Sequence, residues 1–134
     1  MEKAMNTLQA MAAPVGRTMI SLIFVTSGFN KISGYAGTQG YMEAMGVPGA
    51  ILPLVIAVEL LGGLAVILGW HTRIAAFLLA GFSLLSALLF HANFGDQMQM
   101  IMFMKNISIA GGFLMIVALG GGAFALDNRL KKRS

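Results

Sequence analysis

Four long apolar runs, each bracketed by polar positions, organise this chain. The first runs from about Pro14 to Phe29, the second covers Ile51 to Trp70, the third Arg73 to Phe90, and the fourth about Phe103 to Phe124. About 20 residues at ~1.5 Å each cross a ~30 Å hydrocarbon core, so each run predicts a transmembrane helix. Pro14 suits the first turn of the first helix. Only Trp70-His71-Thr72-Arg73 joins the second run to the third, which predicts antiparallel neighbours. The glycine-rich stretch Ser33 to Gly49 predicts a short interfacial helix over Thr38 to Met45, with Thr38 as N-cap and Gly46 as stop. Ala92 to Met102 reads as a Met-rich connection.

Composition agrees with this pattern. Of 134 residues, 57% are hydrophobic and 10% charged, against about 25% charged in an ordinary soluble domain. Mean hydropathy is +0.81. Too few polar residues are present to solvate a globular surface. The expected fold is an all-α membrane protein: one domain over residues 1–134, a four-transmembrane-helix bundle with a short interfacial helix in the first outer loop. Met1 to Ala13 is polar and mixed, and no Ala-x-Ala site follows the first run, so no cleavable signal sequence is expected. The chain has no cysteine, which removes disulfides, thiol chemistry and cysteine-held iron–sulfur or haem groups.

Lys and Arg placement orients the bundle. With a cytoplasmic N-terminus, Lys3, Arg17, Arg73, Arg129, Lys131, Lys132 and Arg133 fall inside, and only Lys31 and Lys105 fall outside. That bias predicts that both termini are cytoplasmic. The charged tail after Asp127 reads as a topological anchor, and nothing points to nucleic acid.

The same orientation gathers the polar residues. Glu59 lies roughly 12 Å into the second run at ~1.5 Å per residue, where an unpaired carboxylate costs several kcal/mol. Lys31 ends the first run, His91 follows the third, and Lys105-Asn106 opens the fourth, all on the outer side. Steps of four and three put Arg17, Ser21, Phe24, Gly28 and Lys31 on one helical face. Glu59 shares a face with Gly62 or Gly63, Ser83 and Ala87 with His91, and Lys105 with Ser108 and Gly112. These stripes predict a shared site in the outer half of the bundle, with Glu59 within reach of Lys31, Lys105 or His91. Equally, a Glu59–lysine pair can be a salt bridge that sets helix register.

Metal and haem readings fare less well. His71 and His91 lie about 30 Å apart along one helix, too far to share an iron. Met98, Met100, Met102 and Met104 alternate as thioether copper sites can. Met is also a common interfacial gap-filler, and no metal is assigned.

The set of residues resembles the DoxX family of four-helix bacterial membrane proteins, and more closely its inner-membrane branch usually named YqjF-like. The resemblance covers nearly the whole chain: Arg17, Phe24, Gly28 and Lys31, then Gly34 to Gln39 and Tyr41 to Gly49 in the loop. It continues through Glu59, Gly62-Gly63, Gly69, Thr72-Arg73, His91 to Phe94 and Met102 to Asn106. It implies an inner-membrane, quinone-linked oxidoreductase role: relatives include a subunit of a thiosulfate:quinone oxidoreductase and partners in catechol and quinone detoxification. More distant members look like scaffolds or cargo receptors.

The expected chemistry follows. A quinol needs a base for its protons, and Glu59 and His91 are the catalytic candidates. A quinone carbonyl needs donors, and Lys31, Lys105, Asn106 and Arg17 are the substrate-binding candidates. No cofactor is expected within the chain, so the reaction would use a diffusible quinone or a redox partner subunit. A homo-oligomer is left open. The alternatives are a non-catalytic membrane anchor for a redox complex, or a small-solute transporter.

Overall fold

The computed structural model describes residues 2–128, with side chains from residue 7 onward. Five α-helices follow in order: α1 (Glu2–Ser33), α2 (Tyr35–Ala44), α3 (Leu52–Leu68), α4 (Thr72–Phe90) and α5 (Gln97–Leu119), with one 3-10 turn at Gly49–Ile51. Thr7–Ser33, Gly49–Leu68, Thr72–Phe90 and Gln97–Leu119 are each long and apolar enough to cross a membrane. The fold is an all-α four-helix membrane bundle.

Small residues decide how the helices meet. Ala75, Ala76, Leu79, Ala80, Ser83 and Ala87 form the buried stripe of α4. That narrow seam lets α3 pack on one side and α5 on the other. On α3, a Cβ at Gly63 would lie 2.9 Å from Val25 Cγ2 and 3.4 Å from the Ser21 carbonyl. Only glycine there allows α1 this close. Phe24 fills the centre, edge-on to Phe113 at 5.5 Å and to Phe82 at 6.2 Å between centroids. Large apolar side chains such as Leu54, Leu61, Phe77, Leu88 and Met115 stay exposed, as lipid-facing groups do.

The expected face of α1 is the buried one: Arg17, Ser21, Phe24 and Gly28 are buried and Lys31 half-buried. The α4 stripe leading to His91 also matches. The α5 stripe does not. Lys105 and Ser108 are exposed, and the inward face instead runs through Asn106, Ile109, Ala110 and Phe113. Lys105 and Ser108 share a face with each other, but spacing alone gives no direction for that face.

Several boundaries also move. Pro14 lies inside α1, because Ala, Leu, Gln and Met before it are good helix formers that extend the helix beyond the apolar run. The interfacial helix begins after Gly34, and the Thr38 hydroxyl donates to the Gly34 carbonyl from inside it. Its stop is as expected, with Gly46 at φ +81°. Helix α5 begins within the presumed Met-rich connection, since the Asp96 side chain accepts from the Met98 N–H at 3.0 Å and caps it. It ends at Leu119 rather than Phe124, where Gly120 turns to φ +80°.

Helix α2 lies across one end of the bundle. Met42, Val47 and Leu52 form a buried cluster there. Tyr41 stacks on Phe90 with centroids 5.5 Å apart. Gln39 Nε2 donates to the Gly49 carbonyl at 3.2 Å.

Candidate functional site

Beneath α2 is a cavity of about 510 Å³. Its walls are mainly apolar, with Phe24, Val58, Phe82 and Ile109 among them. Into it reach Lys31 of α1, Glu59 of α3, His91 after α4, and Lys105 and Asn106 of α5. Five of the six predicted site residues are therefore brought together.

Glu59 is 2% exposed, and its carboxylate is paired with the Lys31 ammonium. The ammonium also donates to Ser27 Oγ at 3.1 Å and stands 5.8 Å from the centre of the Phe82 ring. The pair forms because α1 presses onto α3 at Gly63, one turn beyond Glu59, and the lysine stem spans the remaining height. The buried charge is thereby compensated.

His91 ends α4, and its backbone N–H donates to the Ala87 carbonyl at 3.0 Å. Its Nδ1 lies 2.9 Å from Gln99 Oε1. An amide oxygen only accepts, so Nδ1 donates there, and Nε2 makes no hydrogen bond among the described residues. Gln99 was not anticipated, because α5 was expected to begin after it. Lys105 and Asn106 line the cavity with side chains that make no hydrogen bond among the described residues. They are free donors.

Arg17 is the correction. It lies at the opposite end of the bundle, about 21 Å from Lys31 along α1 at ~1.5 Å per residue. Its Nη1 donates to the Val66 carbonyl at 2.8 Å and the Ile67 carbonyl at 2.7 Å. These belong to the last turn of α3, whose carbonyl end favours a cation, and the Val66 carbonyl also accepts from the Gly69 N–H at 3.2 Å. Helical phase put Arg17 on the right face; it carried no information about height.

Asp127 at that same end was missed. Its carboxylate accepts from the His71 N–H at 2.7 Å, the Thr72 N–H at 2.8 Å and the Thr72 hydroxyl at 2.6 Å, capping α4 from 55 residues away. Burial pushes its pKa up, but the hydrogen bonds from Thr72 and His71 outweigh this and leave it below its ordinary value. No local pattern announces a cap supplied from so far along the chain. Arg129, Lys131, Lys132 and Arg133 lie outside the described residues.

The profile of the DoxX family matches residues 12–92, more than half of the chain. The chain belongs to the DoxX family. It is 50% identical to the inner membrane protein YqjF of Escherichia coli (strain K12), over 96% of this chain and 99% of that one. To the inner membrane protein YphA of the same strain it is 39% identical, over 93% of this chain and all of that one. A Bacillus subtilis (strain 168) protein named "Putative oxidoreductase CatD" is 34% identical over 64 residues, 48% of each chain. No solved structure matches the chain at a significant level. With four apolar spans and YqjF-like sequence, this DoxX protein is a multi-pass inner-membrane protein. The matched DoxX segment holds Lys31, Glu59 and His91, whereas Lys105 and Asn106 come from α5 beyond it.

Proposed function

We propose that this DoxX protein is a quinone- or quinol-linked oxidoreductase component, serving quinone or catechol turnover at the cavity under α2. The observation that carries the reading is a single carboxylate in an apolar, aromatic-walled cavity, held by one lysine, with an imidazole and two unpaired donors on the same walls. A flat ring would lie in the cavity against the apolar wall that includes Phe24, Val58 and Phe82, with its oxygens toward Lys105 and Asn106. Oxidation of a quinol releases two protons and two electrons. Glu59 and the free Nε2 of His91 can each take a proton. The electrons pass to a second quinone or to a cofactor on a partner subunit. The 34%-identical relative whose name includes "oxidoreductase" lends further support.

The test is native mass spectrometry of the gently solubilised protein, with its quinone content assayed. The expected result is a retained quinone, lost in a Lys105→Ala, Asn106→Ala double variant. A preparation with neither quinone nor a cofactor-bearing partner overturns the reading.

A second reading is a membrane anchor or assembly partner, with Lys31–Glu59 as a register lock. The pairing itself favours it, since a 2%-exposed carboxylate needs a counter-ion whatever else it does. Orientation belongs with these proposals: the excess of Lys and Arg at the Arg17 end supports the reading that this end, and both termini, are cytoplasmic.

A further inference from the structure

The cavity is closed along the bundle axis but weakly closed at one side. Helix α2 covers the axial end through the buried Met42–Val47–Leu52 cluster and the Tyr41–Phe90 stack. Around the bundle, α1 packs closely on α3, α3 on α4 and α4 on α5, whereas α1 and α5 barely meet. Where they do meet is informative. A Cβ at Gly112 would lie 2.6 Å from Ile20 Cδ1, and Phe24 rests on Phe113. Ile20, Phe24, Ser27 and Lys31 form one stripe of α1, at steps of four and three, and Phe113, Ile109, Asn106 and Met102 form the facing stripe of α5. The two stripes touch at their Ile20 and Phe113 ends and line open space toward Lys31.

An open groove on α1 continues that space outward. It shares Ile23, Ser27, Lys31 and Thr38 with the cavity and adds Thr26 and Asn30. Thr26 and Asn30 are exposed, and their side chains make no hydrogen bond among the described residues. Polar groups on a membrane-spanning face without partners are costly and call for something polar to meet them.

We propose that the cavity opens sideways into the bilayer between α1 and α5, and that Thr26, Ser27 and Asn30 line the mouth through which a bilayer-dissolved amphiphile reaches Lys105 and Asn106. Lys31 neutralises Glu59, so Lys105 leaves the cavity one positive charge. The ligand accordingly has an oxygen-rich, electron-rich head and an apolar body. The route rests on the proposed quinone reading only in the choice of one probe.

The absence of cysteine makes single-cysteine labelling clean. Thr26→Cys and, as a lipid-facing control, Leu61→Cys on α3, which is 68% exposed, are labelled with bimane in the full chain. In vesicles of phosphatidylcholine with brominated acyl chains, the Thr26 label should be quenched as strongly as the Leu61 label. Adding a long-chain ubiquinone confined to the bilayer should then quench the Thr26 label several-fold more than the Leu61 label, and Lys105→Gln should remove the excess. Weak bromolipid quenching at Thr26, with chains cross-linking to each other there, would mean that a second copy covers this face, and the lateral mouth would be refuted. Full bromolipid quenching without any quinone excess would keep the mouth and overturn the quinone as its ligand.

Discussion

Lys31 near the end of α1 neutralises Glu59 on α3 across 28 positions of sequence, and the two partners are unequally placed: the lysine side chain is 25% exposed and the carboxylate 2%. The asymmetry sets the response to mutation. In Glu59→Gln the freed ammonium can swing toward the interface and keeps Ser27 as a partner, so the loss should stay near 1–2 kcal/mol. In Lys31→Met the 2%-exposed carboxylate loses its ion-pair partner and cannot swing away as the lysine can, and the cost should approach ~3–5 kcal/mol. Thermal melts of the two variants in one detergent decide this. If Glu59 also exchanges protons with a quinol, Glu59→Gln should melt close to the parent while losing quinone-linked activity. A well-folded Glu59→Gln protein with full activity would end that role.

The contact of Gly63 with α1 predicts a contrast between glycines. Gly63→Ala should cost about 1–3 kcal/mol by pushing the β-branched Val25 side chain, 2.9 Å from the added methyl, out of place. Gly111→Ala, on α5 with nothing within 4 Å of the added methyl, should instead stabilise its helix by about 0.5–1 kcal/mol. Equal effects on melting temperature would contradict the packing of α1 on α3.

Asp127→Ala should lower stability by about 1 kcal/mol through loss of the α4 cap. Because the carboxyl is held below its ordinary value of 3.8, its contribution is present above that pH and fades as pH falls through the lower, folded value. Acid titration of melting temperature should therefore show a stabilising component in the parent that begins to fade only as pH falls past 3.8 and is absent from Asp127→Ala. A parent and variant that differ equally at all pH values would rule out the carboxylate as the cause.

Reporter fusions after Gly40 and after Ser134 should report opposite sides of the membrane, with the C-terminal reporter cytoplasmic. Both reporters on one side, or an outside C-terminus, would refute the orientation.

Arg17 supplies the sharpest separation of the two ends. Arg17→Leu removes the guanidinium donor from the Ile67 carbonyl and from the Val66 carbonyl, which keeps the Gly69 N–H, so stability should fall by roughly 1–3 kcal/mol. Quinone retention per folded molecule should not change, because the residue is far from the cavity. A selective loss of quinone in a stable Arg17→Leu protein would restore it to the site.

Hydropathy and periodicity alone determined the number of spans, the buried faces of α1 and α4, and the gathering of Lys31, Glu59, His91, Lys105 and Asn106. The physical reason is that lipid forces each span to satisfy its own backbone and leaves a lone carboxylate nowhere inexpensive to go. Those pressures act within a single helix or on its depth, so they are written locally. Tertiary structure alone decided the rest. Arg17 found the end of α3 and Asp127 the start of α4, because helix termini expose unpaired groups that any nearby side chain can meet, however distant in sequence. The inward face of α5 and the loose α1–α5 seam were likewise undetermined by pattern. With apolar residues on every side of a helix in lipid, the contacts of Gly112 and Phe113 choose the face, and their spacing from Asn106 leaves the cavity open beside it.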